Sequence, residues 1–320
     1  MVDTGVRHAI LHGLLAIAFV EALLRTWRVG RAASRLRFWT LALACPLVAT
    51  PLLLVAFPFR AGDLFVARWA LFASPGWNAV RLAGVGADTI AFAILMAAGL
   101  ALFLRDAGPF VVGALRERRD ASWTPAGAPA GLVDLVADLA RQFAIAPPAL
   151  AVVAVDARVF YVRGLLHHRL VISQAVLDDL DTRRLRAAVA HELAHAARHD
   201  PLAGWLLMAA RLAMCWNPAV QLLARAIVQQ MERRADEAAA IVTSAADVTA
   251  ALQRLARPVT AGRQPGGPVR SLRTLTEHLD GAHIHARSVA LLEPGITEPA
   301  RGWQLALAGA GLAVLSFFVV

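Results

Sequence analysis

The sequence predicts a multi-span α-helical membrane anchor joined to an α+β domain built around one polar helix. Three observations carry that prediction. The 320-residue chain is 58% hydrophobic, with a mean hydropathy of +0.57, too apolar for an ordinary soluble domain of this size. Its formal net charge of +9 comes entirely from arginine on the basic side, with 32 Arg and no Lys, and much of that arginine lies between apolar runs. The run from Asp181 to Arg198 has helical periodicity and contains His191-Glu192-Leu193-Ala194-His195. Basic balance can signal nucleic-acid binding, but arginine-rich loops between apolar runs fit membrane topology better, and no nucleic-acid partner is expected. Cys45 and Cys215 are too few and too far apart for a disulfide framework or a CxxC metal site.

Residues 1–120 are expected to form the anchor, with spans at about 9–24, 38–59 and 85–104. Ala9–Leu24 is apolar apart from His12 and Glu21. Asp3 and a single Arg make a poor signal-peptide n-region, so a first span is the expectation. Glu21 should sit near an interface or face another helix. The linker to Arg37 carries Arg25, Arg28, Arg31, Arg35 and Arg37 and no acid. The positive-inside rule therefore puts it in the cytoplasm and the N-terminus outside. In the second span, Pro46, Pro51 and Pro58 predict kinks, which membrane helices tolerate when neighbours satisfy the freed groups. Arg60–Gly84, with Trp69, Trp77 and a Ser74-Pro75-Gly76 turn, reads as an outer loop or interfacial helix. The third span leads into Arg105, Arg116, Arg118 and Arg119, again on the inner side.

Residues 121–302 are expected to form the second domain, entered through a Pro-, Gly- and Ala-rich linker at Ala121–Gly131. Leu132–Phe143 is an amphipathic helix that Pro147-Pro148 breaks. Ala149–Val155, Arg158–Val162 and Arg169–Ile172 read as short strands, with Gly164–His168 as the last turn. His167 and His168 are taken as exposed turn residues.

In the polar helix, Asp181 is the expected N-cap. His191 and His195 lie four apart, hence on one face, where two imidazoles can bind one zinc between them at roughly 2.0–2.1 Å each. Glu192 then stands beside the metal as a base. His199 only extends the same rod and closes no tetrahedron with the other two. The better third ligand is Glu232, in a helical run from about Ala219 to Val242, with Asp236 one turn further on. Asp236 can accept the free N–H of a ligand histidine and fix its tautomer. The alternative is a solvated face on which Asp236 pairs with Arg233.

The set His191-Glu192-Leu193-Ala194-His195, Arg198, Asp200, Asn217-Pro218, Glu232 and Asp236 resembles the membrane-embedded gluzincin zinc peptidases. Within them it is most similar to the BlaR/MecR sensor-transducer peptidases, with the HtpX and CAAX-prenyl-protease family close behind. The resemblance implies a multi-span helical anchor with an α+β gluzincin (HExxH…ExxxD) metallopeptidase domain in a bacterial plasma membrane. It also implies one Zn2+ per chain on His191, His195 and Glu232, with Glu192 as catalytic base and Asp236 behind a ligand. The expected substrate is a polypeptide, such as a repressor cleaved at the cytoplasmic face. Quality-control proteolysis of membrane proteins is the HtpX-like alternative, and a non-catalytic zinc scaffold is a third. In gluzincins a small sheet beside the HExxH helix presents an edge strand to substrate, and Val159–Val162 is the candidate edge.

For the oxyanion, Tyr161 is either a donor or a packed strand aromatic. HtpX-like proteins carry a His and an Arg-hydrophobic run near the end of the domain, to which Arg287–Leu292 is similar. That makes His283 and His285 further candidates, the alternative being exposed histidines on a polar helix that also includes His278. Asp200-Pro201 should end one helix and begin another. Leu202–Trp216, apolar on nearly all faces, is buried, monotopic or membrane-embedded. Pro258–Pro268 is a glycine-rich loop. Residues 303–320 carry no charge and form a fourth span. The sensor domain that follows in the BlaR/MecR proteins is not present in this sequence.

Overall fold

The computed structural model describes residues 2–71, 80–117, 125–154, 159–164, 167–256, 280–292 and 299–319. Trp77, the Ser74-Pro75-Gly76 turn, the Pro258–Pro268 loop and His278 lie outside them, as does part of the Ala121–Gly131 linker.

The chain divides into two compact units. The first comprises Met1–Arg105, Met208–Gln230 and Ile296–Val320, and the second Asp106–Leu207 and Met231–Gly295. The expected 1–120, 121–302 and 303–320 division differs from this in three places: Met208–Gln230 groups with the apolar helices, the second unit already begins at Asp106, and the last stretch of the first unit begins at Ile296.

In the first unit, three helical stretches are long and apolar enough to cross a membrane: Gly5–Thr26, Ala32–Ala56 and Ala87–Ala107. The first belongs to helix Val2–Thr26. Glu21 there meets Arg25 at 2.8 Å and Arg35 at 3.5 Å, so the acid expected at an interface is paired. The second stretch runs through helix Ala32–Ala44, a π-turn at Cys45–Ala49 and helix Thr50–Ala56. Pro46 and Pro51 each remove an N–H from the ladder, and a π-turn is one of the adjustments that accommodates this. The third belongs to the long helix Ala87–Glu117. It follows a small hairpin of β1, Arg81–Leu82, and β2, Val85–Gly86. Positive φ at Ala83 (50°) and Gly84 (83°) makes the two-residue turn whose twist suits a hairpin.

The final helix, Gly302–Phe318, is apolar and 17 residues long. Buried Arg60 donates to the carbonyls of Ser316, Phe317 and Val319 at 2.7–2.9 Å, satisfying acceptors that a helix C-terminus leaves open. Small residues permit close approach within this unit. A Cβ on Gly13 would lie 2.5 Å from the Ala219 Cβ, and one on Gly99 2.3 Å from the Trp216 carbonyl oxygen.

The second unit holds a four-stranded sheet in the order β3-β4-β6-β5: β3 Pro125–Ala126, β4 Ala149–Val153, β5 Phe160–Arg163 and β6 Arg169–Ser173. β4 and β6 are parallel, whereas β3–β4 and β5–β6 are antiparallel. Alternation sorts the side chains onto two faces. Leu150, Val152, Phe160, Val162, Leu170 and Ile172 join the main core. Ala151, Val153, Val159, Tyr161 and Val171 form a separate cluster.

Onto the main core pack helix Ala130–Gln142, through Leu132, Val136 and Leu139, and helix Thr182–Ala197, through Ala187 to Ala190 and Leu193. Full burial of Leu170, Ile172 and Leu193 contributes about 1.5–3 kcal/mol each. Asp181 caps the latter helix by accepting from the Arg184 N–H at 2.8 Å. Helices Asp200–Ala213, Pro218–Val242, Ala245–Ala256 and Asp280–Leu292 follow.

Candidate metal centre

Helix Thr182–Ala197 turns ten consecutive residues, Ala187 to Ala196, into the interior, with alanines filling most of the positions around the polar groups. Small neighbours let a second helix come close enough for Glu232 to reach the histidines. Helix Pro218–Val242 supplies Glu232 and Asp236 on one face, one turn apart. His191, Glu192, His195, Glu232 and Asp236 are all buried.

The ligand geometry suits a tetrahedral ion. The two Nε2 atoms of His191 and His195 are 3.1 Å apart, and Glu232 places Oε2 3.5 Å from the first and Oε1 3.4 Å from the second. Zinc distances of 2.0–2.1 Å imply tetrahedral ligand-to-ligand edges of about 3.3–3.4 Å. Two imidazole nitrogens and one carboxylate, buried and with ligand atoms all within 4.8 Å of one another, could hold a metal ion, and this donor set fits zinc.

Each histidine is backed by a carboxylate, and each of those by an arginine. His191 Nδ1 lies 2.8 Å from Asp236 Oδ1, and Arg287 grips Asp236 with Nε at 2.6 Å and Nη2 at 2.7 Å. His195 Nδ1 lies 2.8 Å from Asp200 Oδ2, whose other oxygen accepts from Arg234 at 2.5 Å. Carboxylates at Nδ1 fix the tautomer that leaves Nε2 as ligand. Arg287 Nη1 also stands 3.1 Å from Glu232 Oε2.

These charges outweigh burial. Burial pushes the Glu232 carboxyl up, yet Arg287 and His195 hold it well below the usual carboxylate range. Asp236 is likewise lowered, by Arg287 and His191 against burial. For His195, burial opposes protonation most strongly, but Glu232 and Asp200 together raise the imidazole to about 9.

Glu192 Oε2 accepts from the Val162 N–H at 3.0 Å. That N–H belongs to β5, which is an edge strand of the sheet, where the sequence places Val159–Val162. Beside Glu192 and His191 an apolar cleft is lined by Phe160, Ala188, Val248, Ala251 and Leu252.

The structure thus brings together His191, Glu192, His195, Glu232 and Asp236. Tyr161 lies elsewhere: it packs with Ala151, Val153, Val159 and Val171, on the sheet face opposite the one that meets the site helix. His285 is exposed, and the side chain of His283 lies outside the described residues. Asp236 does not pair with Arg233 on a wet face but with Arg287 in the interior. Sequence reasoning placed Asp200 at a helix boundary and among the residues of the family resemblance but not behind His195, and gave Arg287 no role beyond a local similarity. Asp200, five residues past His195, carried a legible signal, whereas Arg287 is 51 residues from Asp236 and carried almost none.

A buried His-His-Glu group that could hold a metal ion, with the Glu192 carboxylate next to it in sequence, in a chain with three helices long and apolar enough to cross a membrane, points to a membrane-associated metalloprotein. Residues 126–245 match the family described as BlaR1 peptidase M56, the BlaR/MecR-type family that the sequence resembles. No curated protein matches the chain. The matched segment contains every residue of the centre except Arg287.

Proposed function

We propose that this protein is an integral-membrane zinc endopeptidase that cleaves a polypeptide at the cytoplasmic face. The observation that carries this reading is the placement of Glu192 between the edge strand and the His191–His195–Glu232 centre. A purely structural metal site has no use for a base.

When bound, zinc polarises a carbonyl and makes water a nucleophile near neutral pH. The rest belongs to the chain's own residues. His191, His195 and Glu232 hold the ion, and Asp236 and Asp200 aim the two imidazoles. An extended peptide adds to β5 through backbone hydrogen bonds, with Val162 N–H as one donor. That contact releases Glu192 from Val162, leaving its carboxylate to take a proton from the attacking water. Glu192 then delivers the proton to the leaving amine. The arginines at 25–37 and 105–119 support cytoplasmic placement by charge asymmetry, which favours a cytosolic regulatory protein such as a repressor as substrate.

The test compares wild type with Glu192→Ala in cells, reading the appearance of cleaved polypeptides, and measures zinc content on the purified proteins. The expected result is full zinc occupancy with no cleavage in the variant. Cleavage unchanged in Glu192→Ala would refute the assignment.

A further inference from the structure

Leu202–Trp216 is apolar on nearly all faces, and its sequence leaves open whether it is buried, lies on the membrane or enters it. The structure groups Met208–Gln230 with the three membrane-length helices and not with the sheet. This segment comprises the end of helix Asp200–Ala213, a turn at 214–217 and the first half of helix Pro218–Val242. The turn meets the membrane-length helices well inside their ends. A Cβ on Gly99 would run into the Trp216 carbonyl and one on Gly13 into Ala219, while Asn217 Nδ2 donates to the Ala9 carbonyl at 3.0 Å. Ala9 lies four residues into the stretch that starts at Gly5, and Gly99 twelve into the one that starts at Ala87. At 1.5 Å per residue these are depths of about 6 and 18 Å. Both fall inside a hydrocarbon core about 30 Å thick.

The polar groups of the segment are paired inside the protein. Asn217 is fully buried, and its Oδ1 accepts from the N–H groups of Ala219 and Val220 at 3.0 and 3.4 Å, capping the second helix. Gln221, also fully buried, donates to the Arg211 and Met214 carbonyls, each at 3.2 Å, and accepts from Arg211 Nε at 2.8 Å. Irregular backbone and a charged side chain are tolerated at membrane depth only when satisfied in this way. The outside is the reverse: the exposed residues of the segment are Ala209, Leu212, Ala213 and Leu222, none of them polar. Leu212 is 62% and Leu222 43% exposed. Lipid is what surrounds a membrane span at such a contact, and Leu100, beside Gly99, is itself 44% exposed. Helix Asp200–Ala213 has 14 residues, about 21 Å, too short to cross. Both ends of the segment continue into the second unit, so the chain returns to the side from which it came.

We propose that Met208–Gln230 is a re-entrant helical hairpin embedded in the bilayer, with Leu212 and Leu222 in contact with lipid acyl chains. His195 and Glu232 then flank a membrane-inserted segment of the chain. The proposal does not depend on the zinc-peptidase reading.

The test uses the full-length protein in vesicles of phosphatidylethanolamine and phosphatidylglycerol, with Cys45→Ala and Cys215→Ala as background. Nitroxide labels are placed singly through Leu212→Cys, Leu222→Cys, Ile94→Cys and Val133→Cys. Ile94, on a membrane-length helix, and Val133, on the amphipathic helix of the second unit, are exposed reference positions. Power saturation compares collisions with oxygen, which concentrates in the bilayer, and with a water-soluble nickel chelate. Labels at 212 and 222 should follow the one at 94, with oxygen collisions exceeding nickel collisions several-fold, while the one at 133 shows the opposite. Nickel access at 212 and 222 equal to that at 133 would overturn the proposal. So would exclusion of both reagents, which marks a protein partner such as a second copy of the chain. Nickel access at 94 as well would overturn it together with the membrane anchor. Should the alanine replacements prevent folding, half-buried Cys215 in the turn of the unaltered protein serves instead. It should react with N-ethylmaleimide but not with a membrane-impermeant sulfonated maleimide, as read by mass spectrometry of its peptide. Equal labelling by the two reagents would again overturn the proposal.

Discussion

Replacing Asp236 probes how the histidine is held. The side chain is 1% exposed and meets three nitrogens: His191 Nδ1 at 2.8 Å, Arg287 Nε at 2.6 Å and Arg287 Nη2 at 2.7 Å. Removing one partner of a buried, hydrogen-bonded pair costs about 3–5 kcal/mol, chiefly because the other charge is left behind. Part of this loss reaches the metal. Outer partners of a ligand histidine are worth roughly 10–100-fold in metal affinity or activity, or about 1.4–2.7 kcal/mol. The remainder should lower the stability of the metal-free fold. Asp236→Asn retains an acceptor for His191 without the charge, so it belongs near the tenfold end. Asp236→Ala belongs near the hundredfold end. Zinc titration against a competing chelator in detergent measures the affinities, and cleavage of a reporter peptide measures the rate. A pair on a wet helix face would be worth at most about 0.5 kcal/mol. If Asp236→Ala binds zinc and hydrolyses peptide as the wild type does, the role given to this carboxylate is wrong.

Three further outcomes are expected. Purified wild type should hold about one zinc per chain, and Glu232→Ala should lose most of it; full occupancy in that variant would mean that the third ligand is another residue. Because the folded-state value of His195 is raised from 6.5 to about 9, its stabilising contribution is complete below pH 6.5 and disappears as pH rises through 9. The metal-free protein should therefore lose roughly 3 kcal/mol across that window, seen as a falling thermal midpoint in detergent, whereas a flat profile would contradict the assignment. Reporter fusions after Arg37 and Arg119 should report cytoplasm and one near Gly62 the outer side; an outer signal at Arg119 would remove cytosolic substrates.

What was legible in the sequence follows from how local each constraint is. Helix spacing alone brings His191 next to His195 and Glu232 next to Asp236, because four residues make about one turn whatever the tertiary setting. The edge strand and the Asp181 cap depend on equally local chemistry. Tyr161 shows where this ends: period two says that it faces away from Phe160 and Val162, but not which face meets the site helix. Arg287 was harder still, since its role exists only once two distant helices pack. The grouping of Met208–Gln230 with the apolar helices has the same origin, because uniform apolarity in Leu202–Trp216 gives no preferred face.

Charge links these elements to the metal. Four buried carboxylates, Glu192, Asp200, Glu232 and Asp236, gather around two histidines, while the arginines in contact with them are Arg234 and Arg287. Burying so many anions is costly unless something neutralises them. A divalent cation held by His191, His195 and Glu232 would add positive charge there. The raised protonation of His195 is the partial substitute available to the chain alone: it places one positive charge between Glu232 and Asp200, where the ion's charge would otherwise lie. Loading therefore exchanges a proton for a metal, and zinc affinity should climb as pH approaches 9 and level off above it. An affinity independent of pH between 6.5 and 9 would show that His195 is already neutral before the ion arrives, and that the buried carboxylates are balanced by some other group.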